Sequence, residues 1–212
     1  MPESTTVPKS YGQYCAAARA LDHVGDRWTL LVVRELLVRP MRFAELLDGL
    51  PGIATNLLTD RLRRLEADGL IEHLGHTYSL TPLGGSLRPV IDSLVVWGGR
   101  YMAVGRQGQA FRPHWLGVAL GVLGRGRRPA GTVRVHTEEG PLVMRGGAQG
   151  LVAVDGWTGP VDTEMRCRIE ELMGVLAGVT TTAQLCADGR AHVDGDVAAV
   201  DELLRPRRAL YV

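Results

Sequence analysis

The chain has 212 residues, 45% hydrophobic and 22% charged, the balance of a globular chain with a full core and room for one domain or two. A net charge of +1 excludes a uniformly basic nucleic-acid coat or an acidic tail, and three cysteines in this length are no disulfide framework, so a reducing, cytoplasmic setting is expected. The opening MPESTTVPKSYGQ has no apolar signal-peptide core, and the longest apolar run, Trp115 to Leu123, is too short to cross a bilayer, so neither a secreted protein nor a membrane partner is expected.

In chain order, Tyr14 to His23 and Trp28 to Val38 read as helices separated by Gly25-Asp26, with Asp26 as the cap of the second. Pro40 stops that helix, Phe43 to Leu50 forms a short third one, and Pro51-Gly52 turns the chain. Leu58, Leu62 and Leu65 then recur at i, i+4, i+7, the buried stripe of a helix from about Thr55 to Asp68, which Gly69 ends by accepting a left-handed conformation. Leu70 to Leu74 and Thr77 to Leu80 are short strands around a tight Gly75-His76 turn. Thr81-Pro82 opens a long helix whose Leu83, Leu87, Val90, Ile91, Leu94, Val95 and Trp97 cover more than one face, more than its own domain needs.

Past the polar glycine segment Gly105-Arg106-Gln107-Gly108-Gln109 the pattern changes to short strands punctuated by glycine, alternating with helical stretches. Two domains are therefore expected, residues 1–105 and 106–212.

Three helices, a fourth after a tight turn, a two-stranded hairpin and a long helix make a winged helix-turn-helix. The fourth helix supplies the chemical reason to read DNA there. At 100° per residue, with Leu58 facing the core, Asn56, Asp60, Arg63 and Arg64 project to the opposite side and Thr59 to its flank. Arginine and asparagine read guanine and adenine edges bidentately, and threonine can meet bases or a thymine methyl. Taken alone these residues describe a solvated helix face on which Asp60 repels phosphate; the order of the elements is what favours DNA.

The same residues resemble a known family. Cys15-x-x-x-Arg19-Ala20-Leu21-Asp22-x-x-Gly25-Asp26-Arg27-Trp28-Thr29-Leu30-Leu31 is similar to the opening signature of HxlR-type transcriptional regulators. Arg42-Phe43-x-Glu45-Leu46, Pro51-Gly52-Ile53, Leu58-Thr59-x-Arg61-Leu62-x-x-Leu65-Glu66-x-x-Gly69-Leu70-Ile71, Tyr78-Ser79-Leu80-Thr81-x-x-Gly84 and Trp97-Gly98 continue it. The resemblance covers about residues 13–105 and implies a homodimer that binds a double-stranded DNA operator through its winged helix and dimerises through its terminal helices. On that basis Arg27 and Arg42 would hold phosphates, Thr55, Asn56, Thr59, Arg63 and Arg64 would enter the major groove, and His76 would contact DNA from the wing. Arg61 would brace the helix or touch backbone. Two positions depart from the family pattern. Ala54 stands where serine is usual, leaving the cap of the reading helix to Thr55. The wing is cut to Leu74-Gly75-His76-Thr77, with fewer backbone and minor-groove contacts to offer.

The second half resembles sterol-carrier-protein-like domains in the run Thr163 to Arg168, Ile169 to Gly178, Ala187 to Asp196 and a closing apolar helix. Pro113 to Leu123 would be the leading helix, with Val133 to Thr137, Leu142 to Arg145 and Leu151 to Asp155 as strands. The fold class that follows is α+β, a winged helix-turn-helix followed by an α/β ligand-binding domain. In such a fold an apolar tunnel would be lined by Trp115, Leu116, Met144, Met165, Leu172, Met173 and Leu176, and would take an apolar small-molecule effector. As plain composition, the same seven fill an ordinary core.

No metal, cofactor or catalytic constellation is expected. His73 and His76 across the wing are too few ligands for a metal, and Glu138-Glu139 before Gly140-Pro141 reads as a solvated turn. Cys15 is the redox candidate, since HxlR-type regulators often sense oxidants with a cysteine near this position, and Arg19 one turn on would favour the thiolate. The competing reading buries Cys15 beside Ala16, Ala17 and Ala18, and Cys167 and Cys186 read as core. The expected function is a sequence-specific DNA-binding regulator, a repressor, and not an enzyme. The alternatives are a cytosolic carrier of an apolar ligand that dimerises through its N-terminal half, and a thiol switch at Cys15.

Overall fold

A computed structural model describes residues 10–104, 106–123, 129–148, 150–154 and 156–205, and the chain divides into two units, Met1–Arg88 and Pro89–Val212. Gly105, at the expected domain boundary, and Asp155, at the end of an expected strand, lie outside the described residues.

The first unit runs α1 (Ala16–Val24), α2 (Thr29–Val38), β1 (Met41–Arg42), α3 (Phe43–Gly49), α4 (Thr55–Ala67), β2 (Ile71–Leu74), β3 (Thr77–Leu80) and α5 (Pro82–Gly85). The apolar stripe predicted for α4 is the one buried: Leu58, Leu62 and Leu65 join Val32, Leu36, Met41, Leu46 and Ile71 in one core. Gly69 ends α4 at φ +69° and Gly75 turns the wing at φ +62°, both in the region that disfavours a side chain. The hairpin pairs Ile71 with Leu80 and Leu74 with Thr77. A third strand, β1, lies antiparallel on the other side of β3, pairing Met41 with Tyr78. The sequence does not announce it, because two residues between Pro40 and a helix carry no periodicity.

The helix predicted after Thr81-Pro82 is broken. The Thr81 hydroxyl accepts a hydrogen bond from Gly84 N–H at 3.1 Å and caps α5 as predicted, but α5 ends at Gly85 and a separate helix, α6 (Arg88–Gly98), follows. Gly84-Gly85 has poor helix propensity, and Pro89 lacks an N–H and clashes with the carbonyl four residues back, Gly85. Gly84 has a packing reason as well: a Cβ there would sit 1.9 Å from the Leu70 carbonyl oxygen.

After a 3₁₀ segment (Gly99–Val104), the second unit continues with α7 (Trp115–Leu123), β4 (Thr132–Thr137), β5 (Gly140–Gly147), β6 (Gly150–Val154), β7 (Thr163–Cys167), α8 (Ile169–Leu176), α9 (Thr182–Ala187), β8 (Ala191–Asp194) and α10 (Val197–Leu204). The five strands lie in the order β6-β5-β4-β7-β8. β4 and β7 are parallel, Val135 opposite Met165, and the other neighbours are antiparallel. Alternation puts Val133, Val135, Met144 and Met165 on one face, where they share a core with Leu120 of α7, Leu172 of α8, Leu185 of α9 and Leu203 of α10. The Glu138-Glu139 turn is more than a solvated tip: the Glu138 carboxylate accepts the Ile169 N–H at 3.1 Å, filling an open donor at the start of α8.

Candidate nucleic-acid interface

The geometry of α4 follows from its buried stripe. With Leu58, Leu62 and Leu65 turned inward, Thr55, Asn56, Asp60 and Arg63 are exposed, and Thr59 is half-buried with its hydroxyl donating to the Thr55 carbonyl at 2.9 Å. Asn56, Asp60 and Arg63 thus form an open polar face that no packing contact demands. The N-cap of α4 is Ala54, and no side chain takes that role. Thr55, expected to take over, is already the first helical residue, where its hydroxyl stands too far along the helix to bond the open N–H groups.

Two of the three arginines of α4 are spent on the scaffold. Arg61 and Arg64 both donate to Oδ2 of Asp26 in the α1–α2 turn, the Arg64 contact at 3.1 Å. Arg64 also donates to the Asp22 carbonyl at 2.6 Å, in the last turn of α1, where the helix dipole favours a cation. Arg61 therefore braces the helix, as expected. Arg64 departs from its expected place in the groove: it lies on the same flank as Arg61, one turn on, and its long side chain reaches back to α1. Asp26 departs too. The residue at the N-cap of α2 is Trp28, without a side-chain bond, and the carboxylate of Asp26 is occupied by the arginines of α4.

The expected phosphate contacts are exposed. Arg27 follows Asp26 with its guanidinium 5.6 Å from the centre of the Trp28 ring. Arg42, at the start of α3, is exposed while its backbone N–H donates to Glu45 at 2.7 Å. In the wing, His73 stacks flat on Tyr78 with ring centres 4.2 Å apart, and His76 is exposed at the tip. Among the described residues no group of three or more His, Cys, Asp or Glu is placed to hold a metal, and no helix is long and apolar enough to cross a membrane.

Cys15 sits just before α1, exposed rather than buried. The backbone N–H groups of Ala18 and Ala17 hold its thiol below the ordinary cysteine range. The cause is the helix start and not the expected Arg19, which is paired with Asp22 at 3.9 Å. Cys167 is the opposite case: burial, with Glu171 and Glu138 nearby, pushes its thiol up to about 12. Treated with iodoacetamide near pH 8, Cys15 is expected to be alkylated far ahead of Cys167, whose thiolate is then only about one part in ten thousand. Peptide mass spectrometry over time checks this; equal rates at the two sites would refute it.

The seven residues expected to line a tunnel are mostly interior. Leu116, Met144, Met165, Leu172 and Leu176 are buried in one core and Met173 packs against it. Trp115 is half-buried, edge-on to Phe111, which itself packs on that core. The structure brings six together and leaves Trp115 at their margin. A different apolar surface is open: Val90, Leu94, Val96 and Trp97 of α6, with Tyr101 and Met102 beyond it, are each between 43% and 59% exposed.

A profile of the HxlR-like helix-turn-helix family matches residues 23–106. The chain is similar to an uncharacterised HTH-type transcriptional regulator of Synechocystis, 37% identical over 90 residues that cover 39% of this chain and 67% of the relative. It is similar to the regulator YkvN of Bacillus subtilis, 38% identical over 85 residues, 37% of this chain and 72% of the relative. An HTH-type regulator of Methanothermobacter thermautotrophicus is 34% identical over 94 residues, 41% of this chain and 72% of the relative. Among solved structures, the reduced form of the transcriptional regulator YodB from B. subtilis is 27% identical with a TM-score of 0.38, covering 44% of this chain and 99% of that one.

Proposed function

Since the chain belongs to the HxlR-like helix-turn-helix family of transcriptional regulators through residues 23–106, we propose that it is a homodimeric repressor that reads a palindromic operator with α4. The open face of Asn56, Asp60 and Arg63, held opposite a fully buried leucine stripe, is the observation that carries this reading. Asn56, Thr59 and Arg63 read base edges, Thr55 meets the groove at the helix start, Arg27 and Arg42 hold phosphates, and His76 approaches from the wing. Footprinting on the DNA upstream of the chain's own gene tests it: a protected two-fold site is expected, and uniform salt-sensitive protection without a site would overturn it.

Dimerisation is read from the open apolar residues of α6. A face with Leu94 and Trp97 about half exposed is costly to leave in water, and the same face of a second copy would cover it. A palindromic operator requires the two reading helices of such a dimer to meet successive major grooves about 34–36 Å apart. Sedimentation is expected to give a dimer at micromolar concentration, and Trp97→Asp to give a monomer with weakened operator binding. A wild-type monomer that binds a palindrome tightly would sink the idea.

Residues 106–212 are proposed as an effector domain for an apolar small molecule. The support is the resemblance to sterol-carrier-protein-like domains in the sequence, and a core that includes Met144 and Met165, whose flexible side chains can repack around a guest. Melting of the full chain with apolar compounds extracted from cells tests it, a rise in one transition being the expected result. The exposed, acid-shifted thiol of Cys15 favours a second reading, in which oxidation there changes operator affinity. Cys15→Ser would abolish an oxidant response and leave an effector response intact.

A further inference from the structure

The ion pairs behind α4 divide its arginines by function. Arg61 and Arg64 stand three residues apart on one flank and converge on a single oxygen, Oδ2 of Asp26. Their side chains are 20% and 31% exposed, and that of Asp26 is 38% exposed, so the cluster lies at the surface beside the exposed Arg27. A stability role alone would be small for pairs this accessible. A larger consequence concerns DNA. An unpaired arginine on the flank of a groove-entering helix takes a phosphate whatever the sequence, and each such contact adds affinity for every site alike.

We propose that Asp26 determines specificity: it retains Arg61 and Arg64 in the scaffold and keeps them from the phosphate backbone. This rests on the DNA-binding reading above. With those two cations held, the free guanidinium of α4 is that of Arg63, on the face that meets base edges, and the backbone is left to Arg27 and Arg42. The carboxylate of Asp26, adjacent in sequence to Arg27, also repels a phosphate that strays from Arg27 toward the flank. An acidic residue next to the DNA thereby sharpens recognition by limiting charge that cannot discriminate.

The test is the salt dependence of binding to a labelled duplex of mixed sequence, measured by fluorescence anisotropy with the full chain. Asp26→Asn removes the charge at nearly constant shape, frees Arg61 and leaves Arg64 held only by its bond to the Asp22 carbonyl. The slope of log affinity against log salt is expected to steepen by about 0.9 for Arg61, and by about 1.8 where Arg64 also leaves the Asp22 carbonyl for a phosphate, so that about 3-fold to tenfold more affinity is lost between about 50 and 200 mM salt. Asp26→Glu, which keeps the charge, is expected to restore the wild-type slope. Asp26→Asn with Arg61→Met is expected to give back about 0.9 of the increase. An unchanged slope in a folded Asp26→Asn protein overturns the proposal, as does Asp26→Glu behaving like Asp26→Asn. Arg61→Met alone provides a check that does not need Asp26→Asn to fold: its slope should equal wild type, and a loss of about 0.9 would place Arg61 on phosphate and overturn the proposal. If the wild-type chain retains no duplex at all, the DNA-binding reading falls and this inference with it, whereas retention with an unchanged slope condemns the inference alone.

Discussion

Glu35→Ala is expected to destabilise the first unit by about 3–5 kcal/mol, the cost of removing one partner from a buried ion pair. Glu35 lies in the middle of α2, its side chain wholly buried, and accepts Arg34 Nε at 2.9 Å; the Arg34 side chain is itself only 19% exposed. Arg34 also reaches the Gly49 carbonyl at 3.5 Å, so the pair joins α2 to the end of α3, the helix that precedes the reading helix. The carboxylate presses on Gly49 as well, where a Cβ would come within 2.4 Å of Oε2. Gly49→Ala therefore forces the carboxylate from its place, at a cost of about 1–3 kcal/mol. Because both substitutions disturb the same contact, their costs should not add, and the double variant should be less destabilised than the sum. Hydrogen exchange over residues 32–62 in urea reads the local stability. A loss below about 1 kcal/mol for Glu35→Ala would mean that water reaches the site and the pair is not truly buried.

The legible parts of this molecule were those written in local pattern. Leu58, Leu62 and Leu65 located α4 and its inward face, Gly69 and Gly75 marked a helix end and a turn, and both bear the positive φ that requires glycine. What stayed hidden depended on partners far along the chain. Asp26 looked like a cap because it precedes a helix, yet Arg61, thirty-five residues on, claims its carboxylate. Arg64 looked like Arg63 because a helical wheel ranks residues by angle and ignores the reach of an arginine that can turn back to the Asp22 carbonyl. Glu35 carries no expectation from the sequence, because no periodicity announces a carboxylate at the α2–α3 junction. The strand β1 was missed for a different reason, being too short to carry a pattern. In the second unit the places of the strands and the inward methionines were expected only through the resemblance to sterol-carrier-protein-like domains, and whether those methionines pack on one another or around a guest is decided by shape.

Arg63→Ala is expected to cost about 1–3 kcal/mol on the preferred operator, about 5–150-fold in affinity, and to relax preference at one base pair. The reason is its position: exposed, on the face opposite Leu58 and Leu62, and free of the scaffold that holds Arg61 and Arg64. Asn56→Ala, one end of the same face, should relax a different position by a similar amount, because asparagine pairs bidentately with adenine where arginine prefers guanine. Arg27→Ala and Arg42→Ala should behave otherwise. Each is exposed and precedes α4 in the chain, and as proposed it holds phosphate rather than base edges. Their loss should weaken all sequences alike and flatten the salt slope by about one unit. Measuring the four variants against a panel of operators with single base changes separates the two groups, since a base reader alters the ranking of the panel and a phosphate holder only shifts it. If Arg63→Ala leaves that ranking unchanged and Arg27→Ala disturbs it, then the face opposite the leucine stripe is not the one that enters the groove.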